Sequence, residues 1–204
     1  MNSLSFETLA LFRLFDKHSK DGRVILPLLV TVEKLLSHGF FDDLLTKKDS
    51  DFSKELAKRI RKEATKISDI KRLMSIVQVA INIFHSVDEE VKSTNLLFLM
   101  RILAHRFPRV RRYTAEQLYI KLIEDSSIIS DSEDVDKAMD ILSNTNWDRD
   151  LGPPSNIRQC RNEVAKLLGI TLSEKDIIGP KPKAGVKKVD EFATYASLVG
   201  SAGF

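Results

Sequence analysis

Apolar residues recur along most of the chain at spacings of three and four, the repeat that buries one face of an α-helix. No segment shows the sustained alternation of apolar and polar residues that is typical of β-strands. We therefore expect an all-α fold of about eight antiparallel helices joined by short connections. The predicted helices cover about residues 4–17, the segment "DGRVILPLLVTVEKLLSHG", 52–66, 69–85, 87–105, 108–124, a short helix to Ser143 and a last helix that ends at Gly169.

Proline, glycine and short polar motifs predict where several of these helices begin and end. Pro27 is expected in or near the first turn of the second helix, and Gly39 is placed to stop that helix. Pro108 should open the helix that runs to about Glu124. Two capping-box spacings mark further starts: Ser86 with Glu89, and Ser130 with Glu133. The helices over 69–85 and 87–105 are apolar almost all round, so we expect them to be central.

A change of composition divides the chain near Thr171. The segment "GPKPKAGVKKVDEFATYASLVGSAGF" is rich in glycine, proline and lysine and has little periodicity. It predicts a flexible tail over 171–204, with one short helical patch near 191–198. Residues 1–170 are expected to form a stack of helix pairs, an α-solenoid rather than an isolated four-helix bundle.

Composition narrows the possible classes of function. The 204 residues carry a formal net charge of only +3, which argues against attraction to nucleic acid or to an anionic membrane by long-range charge alone. A single cysteine, Cys160, excludes an internal disulfide framework and a zinc site built on cysteines. The most apolar run, "NLLFLMRILAH", is broken by Arg101, and the amino terminus lacks a signal-peptide pattern. We expect a soluble, intracellular protein.

Motifs for catalysis and for metal or cofactor binding are missing from the sequence. There is no glycine-rich phosphate loop, no GxSxG and no HExxH. The four histidines each lie at or just beyond a predicted helix C-terminus, where they complement exposed carbonyls. Cys160 lies on an amphipathic helix and is expected to be a partly packed structural residue rather than a nucleophile. These patterns predict no enzyme, no cofactor and no metal site.

The arginines of "FPRVRRYTAEQLYIKL" divide between two faces of the predicted helix. At 100° per residue, Arg111 falls among the packing residues, whereas Arg109 and Arg112 lie on the opposite side. Arg111 is therefore expected to serve the fold. Arg109 and Arg112 are left for a partner or for solvent, and solvent is the commoner fate of such side chains.

Three further features each allow a structural and a functional interpretation. The predicted third helix carries the basic residues Lys58, Arg59, Arg61, Lys62 and Lys66, which form either a solvated face or a surface for an acidic partner. The acidic segment "EDSSIISDSEDVD" lacks the glycine of a calcium loop and is expected to be solvated. Trp147, the only tryptophan, either wedges the last two helices together or anchors a partner.

Four segments occur in an order that resembles a known family. They are "RVILPLLVTVEKLLSHG", "SDIKRLMSIVQVAINIF", "FPRVRRYTAEQLYIKL" and "LSNTNWDRDLGPPSNIRQCRNEVAKLLGI". Together they resemble the C-terminal region of tubulin-folding cofactor D over about residues 20–170, and the final "WD" followed by a helix ending in "LLG" is the most characteristic. The third segment also resembles the second helix of a HEAT repeat, in which the arginine equivalent to Arg111 belongs to a structural polar ladder.

The resemblance implies a HEAT/armadillo-like solenoid that binds β-tubulin after its release from the chaperonin. Family members assemble or dismantle the αβ-tubulin heterodimer with cofactors C and E and an Arf-like small GTPase, and they are several times longer than this chain. The implied location is cytoplasmic or microtubule-associated, and GTPase activation is expected only within a cofactor complex. The residues we predict to bind a partner are Lys58, Arg59, Lys62, Arg109, Arg112 and Trp147. The alternative is a helical adaptor that docks another cofactor without binding tubulin.

Overall fold

The computed structural model describes residues 6–47, 51–124, 132–149, 151 and 156–178, and regular structure in these ranges is helical throughout. This confirms the all-α expectation, while the HEAT-repeat type stays a prediction. The expected number of about eight helices is not confirmed, because two five-residue helices, α3 and α10, add to the longer ones. The helices are α1 (Phe6–Lys17), α2 (Gly22–Ser37), α3 (Asp42–Thr46), α4 (Phe52–Ala64), α5 (Ile70–Asn82), a 3-10 turn (Ile83–His85), α6 (Glu89–Leu103), α7 (Pro108–Glu124), α8 (Ser132–Asn144), α9 (Ile157–Leu167) and α10 (Glu174–Ile178).

The described residues divide into two compact units. The first unit takes its residues from Met1–Ile67 and Arg72–Leu99, and the second from Ser68–Lys71 and Met100–Phe204. The boundary lies within α6, between Leu99 and Met100. Most residues of α5 and α6 are buried, as expected for helices that are apolar almost all round. No described helix has the length and apolar character needed to cross a bilayer.

Glycine ends two of the helices, as the sequence predicts. Gly39 has φ of +73°, and the amide of Phe40 donates to the carbonyl of Leu35 at 2.9 Å, which closes a Schellman motif after α2. Gly169 repeats the arrangement after α9 with φ of +69°. Helix α7 begins at Pro108 and ends at Glu124, which confirms both of its predicted bounds.

Pro27 lies near the first turn of α2, as predicted, but inside the helix. Helix α2 begins at Gly22, so Pro27 lies in its second turn and not in its first. Asp21 starts the helix earlier because its carboxylate accepts a hydrogen bond from the amide of Arg23 at 3.0 Å. The proline is exposed, so the Arg23 carbonyl that loses its helical partner can be hydrated instead.

The predicted cap of α6 is wrong. A helix does begin after "SVD", but Asp88 rather than Ser86 is the residue whose carboxylate caps it. Asp88 Oδ1 accepts from the amides of Glu90 and Val91 at 3.0 and 3.1 Å, while Ser86 Oγ only accepts from the amide of Asp88. The second predicted box begins at Ser130, which lies outside the described residues.

Aromatic packing holds α4 in the first unit. Helices α1 and α3 pack on α4, whose Phe52, Leu56 and Ile60 are completely buried. The Phe52 ring stacks on Phe12 at a centroid distance of 5.6 Å and contacts Phe41 at 4.7 Å. Burying each of these side chains contributes about 1.5–3 kcal/mol, so the apolar side of α4 is fixed and its basic side faces outward.

A buried carboxylate fixes the turn between α1 and α2 against the end of α4. Glu63 accepts hydrogen bonds from Ser19 Oγ at 2.7 Å and from the amide of Lys20 at 3.1 Å. Lys20 adopts a positive φ of 70°, and its ammonium donates to the carbonyls of Lys62, Glu63 and Thr65. Lys20 therefore donates to carbonyls in the last turn of α4 and just beyond it.

In the second unit, α8 packs against both α7 and α9. Helix α10 joins this unit through Asp176, whose carboxylate accepts from Arg101 Nε at 2.9 Å and whose carbonyl accepts from Arg161. The hydrogen bond from Arg101 lowers the pKa of Asp176 to about 2. Residues 179–204, including the predicted helical patch near 191–198, lie outside the described residues, and the division into 1–170 and 171–204 stays a prediction.

Candidate partner-binding surfaces

Helix α4 presents a row of basic residues opposite its buried apolar side. In the helix sequence "FSKELAKRIRKEA", five residues are basic and two are acidic. Lys58 is exposed, and its ammonium lies 4.0 Å from Glu55, the outer limit of an ion pair. Lys62 is also exposed, and among the described residues its ammonium has no carboxylate partner. These two lysines are thus available for contact with an acidic surface.

Arg59, the third predicted residue on α4, is held by the protein itself. Its side chain is only 16 % exposed and pairs with Asp16 at 2.8 Å and with Glu55 in the preceding turn. The guanidinium also lies over the Phe12 ring, 4.4 Å from the centroid. Burial opposes the charge, but the hydrogen bonds to Asp16 and Glu55 outweigh it and raise the pKa of Arg59. Arg59 therefore ties α4 to α1.

A cleft between α4 and the first turns of α6 has a volume of about 220 Å³. We call it the Arg61 cleft; its lining includes Lys54, Lys58 and Arg61 of α4 and Glu90, Val91 and Thr94 of α6. Arg61 Nη1 is withdrawn from water and has no hydrogen-bond partner in the described part of the chain. Burial lowers the pKa of this guanidinium. Arg61 is one of the basic residues noted in the sequence, but it is not among the residues predicted to bind a partner.

Ion pairs neutralise one end of the Arg61 cleft. Lys54 Nζ lies 3.1 Å from Asp88 and 3.6 Å from Glu90, which links α4 to the N-terminus of α6. Burial raises the pKa of Asp88, but the hydrogen bond from Lys54 and those from the helix amides outweigh it, so the pKa is lowered overall. The uncompensated positive charge of the cleft is therefore at the other end, at Arg61 and Lys58.

Arg111 of α7 is a structural residue, as its position on the helical wheel predicts. The side chain is 1 % exposed. Nε donates to the carbonyl of Trp147 at 2.9 Å, Nη1 to those of His105 and Arg106, and Nη2 to that of Arg149. One guanidinium thereby joins the turn before α7 to the connection after α8. Its role in a HEAT-type ladder stays a prediction.

Arg109 and Arg112 face outward, as predicted. Arg109 is exposed and has no ion-pair partner in the described ranges. Arg112 pairs with Glu116 at 2.9 Å and with Asp148 at 3.5 Å. The hydrogen bond to Glu116 raises the pKa of Arg112. Of the two, only Arg109 therefore offers a charge that is not already compensated.

Trp147 packs inside the second unit rather than projecting from it. It is 4 % exposed, and its indole Nε1 donates to the carbonyl of Leu142 at 2.9 Å. One side of the residue lines a groove of about 420 Å³ between α7 and the end of α8, which we call the α7–α8 groove. Its lining includes Arg112, Glu116, Tyr119, Ile120, Leu142 and Trp147. Arg112 and Trp147 therefore meet at one groove, while Lys58, Arg59 and Lys62 belong to the first unit.

The described residues include no cluster of three or more His, Cys, Asp or Glu side chains able to hold a metal ion. His105 is mostly buried, and its Nδ1 accepts a hydrogen bond from the amide of Phe107 at 3.3 Å. Burial, with help from Arg106 and Arg111, lowers its pKa to about 4. Cys160 is a half-buried free thiol on α9. His105 therefore stabilises the connection before α7, and Cys160 is a partly packed residue of α9.

A comparison with protein families gives a match at the start of the chain. Residues 6–72 match the family model described as tubulin folding cofactor D C terminal. Over these residues, the chain is similar to the C-terminal region of tubulin folding cofactor D. The match contains α1 to α4 and the first residues of α5, and therefore the whole basic row of α4. No solved structure matches the chain.

The extent of the match differs from the resemblance noted in the sequence. We expected the similarity to tubulin folding cofactor D over about residues 20–170, but the match begins at residue 6 and ends at residue 72. The segment around Trp147, which we considered most characteristic, lies beyond it, and its relation to the family stays a prediction. The matched family is that of a tubulin-folding cofactor, a chaperone-type protein that is not a known enzyme.

Proposed function

We propose that this chain is a tubulin-binding module of a post-chaperonin chaperone, acting in assembly or disassembly of the αβ-tubulin heterodimer. The observation that carries the proposal is the family match, which spans the whole of the basic helix α4. The partners we propose are β-tubulin or αβ-tubulin, cofactors C and E and an Arf-like small GTPase, in the cytoplasm or on microtubules. The proposal includes a HEAT/armadillo-like arrangement of the helices, and GTPase activation only within the assembled complex.

Charge on α4 supports a direct contact with tubulin, which is strongly acidic. Arg59 and Lys54 are held by carboxylates of the first unit, so the charges left for a partner are those of Lys58, Lys62 and Arg61. Exposed charges of this kind act mainly on the rate of association, and salt screens them over about 8–10 Å. We therefore expect tubulin binding that weakens as the salt concentration rises.

The α7–α8 groove favours a second function, docking of another cofactor without tubulin binding. It lies outside the matched residues, and its volume of about 420 Å³ is large enough for a few side chains of a bound peptide. Ile120 on its wall is 46 % exposed, although it is a large apolar residue. A groove with an apolar wall and a paired arginine at its rim suits a helix or loop of a protein partner.

Size-exclusion co-migration with purified αβ-tubulin, at low and at high salt, tests the first function. We expect co-migration at low salt that decreases at high salt and is lost in the double variant Lys58→Glu/Lys62→Glu. The matched control is Lys17→Glu/Lys34→Glu, which reverses two exposed lysines of the same unit, one on α1 and one on α2. If the folded chain runs alone at both salt concentrations, direct tubulin binding by this chain is wrong.

Binding to another cofactor, measured in the same way, tests the second function. The variant Ile120→Glu places a charge on the wall of the α7–α8 groove and should abolish this binding. Binding of the cofactor that survives Ile120→Glu would exclude the groove as the docking site. The Lys58→Glu/Lys62→Glu variant should bind the cofactor normally, which separates the two functions.

A further inference from the structure

The α7–α8 groove leaves apolar side chains of α7 open to solvent. Ile120 on its wall is 46 % exposed, and Ile123, nearly one turn further along α7, is 59 % exposed. The lining also includes Leu142 and the single tryptophan, Trp147. Exposed apolar residues beside a concave surface are typical of a site that another segment covers.

The sequence after α10 contains an apolar stripe of the matching kind. Residues 179–204 lie outside the described residues, and within them the stretch "VDEFATYASLV" covers residues 189–199. Its large apolar residues recur at spacings of three and four, which place side chains on one side of a chain with helical periodicity. They are Phe192, Tyr195, Leu198 and Val199. We call residues 189–199 the tail segment.

The tail segment is tethered to the unit that contains the groove. Helix α10, which ends at Ile178, and the residues that line the groove all belong to the second unit. The ten residues 179–188 separate Ile178 from the tail segment. Fully extended, ten residues span up to about 33–36 Å. A compact body of about 100 residues has a radius of gyration of about 13 Å and is therefore about 34 Å across, so the tether is long enough to reach the groove.

Charge favours the same pairing. Asp190 and Glu191 are the only charged residues of the tail segment, and they precede its large apolar residues. At the groove, Arg112 already pairs with two carboxylates. Arg109, one turn earlier on α7, is exposed and has no ion-pair partner in the described ranges. Attraction between the acidic end of the tail segment and Arg109 would direct the apolar residues along α7 toward Ile120.

We propose that the tail segment docks in the α7–α8 groove, with its aromatic residues against the wall formed by Ile120. A tethered segment has an effective concentration of the order of millimolar, so a contact with a dissociation constant of about 0.1 mM is occupied about nine-tenths of the time. A protein partner that uses the groove has to displace the tail segment first. The inference goes beyond the proposed function because this occupant belongs to the chain itself.

Photo-crosslinking in the full chain tests the docking without any partner. Failure of this contact and failure of either proposed function are therefore separate results. The crosslinker p-benzoylphenylalanine replaces Phe192, and the chain is irradiated at about 1 µM, far below the effective concentration of a tethered segment. Mass spectrometry identifies the linked peptides. The matched control carries the same crosslinker in place of Phe204, which lies outside the tail segment.

We expect a link within one chain from position 192 to the wall of the groove, in α7 or at the end of α8. Links from position 192 to other surfaces, or links only between two chains, would overturn the proposal. Equal yields of the groove link from positions 192 and 204 would also overturn it, because they would show that any part of the sequence after α10 meets the groove equally often.

Variants on the two sides of the contact give a second readout. Ile120→Glu and Leu198→Glu should each reduce the yield of the groove link about fivefold or more, because each places a charge in an apolar contact. The control Ile177→Glu places the same charge at an exposed isoleucine of α10 and should change the yield less than about twofold. Circular dichroism checks that each variant is folded. A yield that Ile120→Glu leaves unchanged, or that Ile177→Glu reduces equally, would contradict docking in this groove.

Discussion

Arg61 in the first unit and Arg111 in the second are both partly or fully withdrawn from water, but they differ in what their nitrogens contact. Arg111 donates to the carbonyls of four residues in two connections. Arg61 leaves Nη1 without a partner at the wall of a cleft. Backbone carbonyls compensate the burial of the Arg111 guanidinium, whereas no described atom compensates the burial of Nη1 of Arg61.

The same distinction separates the two units as candidate partner-binding regions. On α4, Arg59 and Lys54 form close ion pairs with carboxylates of the first unit, whereas Lys58, Lys62 and Arg61 do not. On α7, Arg111 is buried against backbone carbonyls and Arg112 pairs with two carboxylates, so Arg109 is the outward arginine without an ion pair in the described residues. Uncompensated basic residues are thus more numerous on α4, which lies within the family match, than on α7.

The largest effect that we expect is on Arg111. Arg111→Met should lower the free energy of unfolding by about 3–5 kcal/mol, because carbonyls of His105, Arg106, Trp147 and Arg149 lose a charged donor in a buried region. Urea denaturation of the purified variant measures the change. Arg109→Met, which removes an exposed arginine two residues away, should leave the unfolding free energy unchanged. A loss below about 1 kcal/mol for Arg111→Met would remove the contrast between the two buried arginines.

His105 gives the next largest effect, as a dependence of stability on pH. Its folded pKa of about 4 is below its usual 6.5, so between these values the unfolded chain binds more protons and stability rises with pH. The full contribution, of the order of 3 kcal/mol, is present above about pH 6.5 and is lost as the pH falls toward 4. Denaturation midpoints measured from pH 4 to 8 should show this slope.

The variant His105→Asn isolates that contribution. An asparagine side-chain oxygen can accept from the amide of Phe107 as Nδ1 of His105 does, but it does not titrate. The stability difference between wild type and variant should therefore change between pH 6.5 and 4 and be constant above pH 7. Parallel curves over the whole range would mean that His105 is not the group responsible.

A smaller effect compares the glycines that end α2 and α9. Both have a positive φ, so Gly39→Ala and Gly169→Ala should each cost about 1 kcal/mol of unfolding free energy. An added Cβ at Gly39 would lie 2.7 Å from Asp42 Oδ2, while no atom lies within 4 Å of one at Gly169. Because the Asp42 side chain can rotate away, the two losses should agree within about 0.5 kcal/mol. Thermal melts of the two variants measure the difference, and a much larger loss at Gly39 would show that Asp42 is fixed.

Sequence patterns predicted what depends on local spacing. The bounds of α7, the glycine stops and the inward position of Arg111 all follow from helical periodicity and the preferences of single residues. Contacts between distant segments were not predictable in this way. Arg59 pairs with Asp16, which is 43 positions away, and the Arg61 cleft exists only because α6 lies beside α4. The cap of α6 was wrongly assigned to Ser86. Serine and aspartate cap helices equally well, so the sequence alone did not distinguish Ser86 from Asp88, two residues later.

The most direct test measures the affinity of the chain for αβ-tubulin after equal charge reversals in the two units. Lys58→Glu/Lys62→Glu changes the exposed charge of α4, and Arg109→Glu/Arg112→Glu makes the same change in net charge on α7. We predict a loss of tenfold or more for the first pair and less than about threefold for the second. Equal losses would mean that net charge alone governs binding, and a larger loss for the α7 pair would contradict the assignment of tubulin binding to α4.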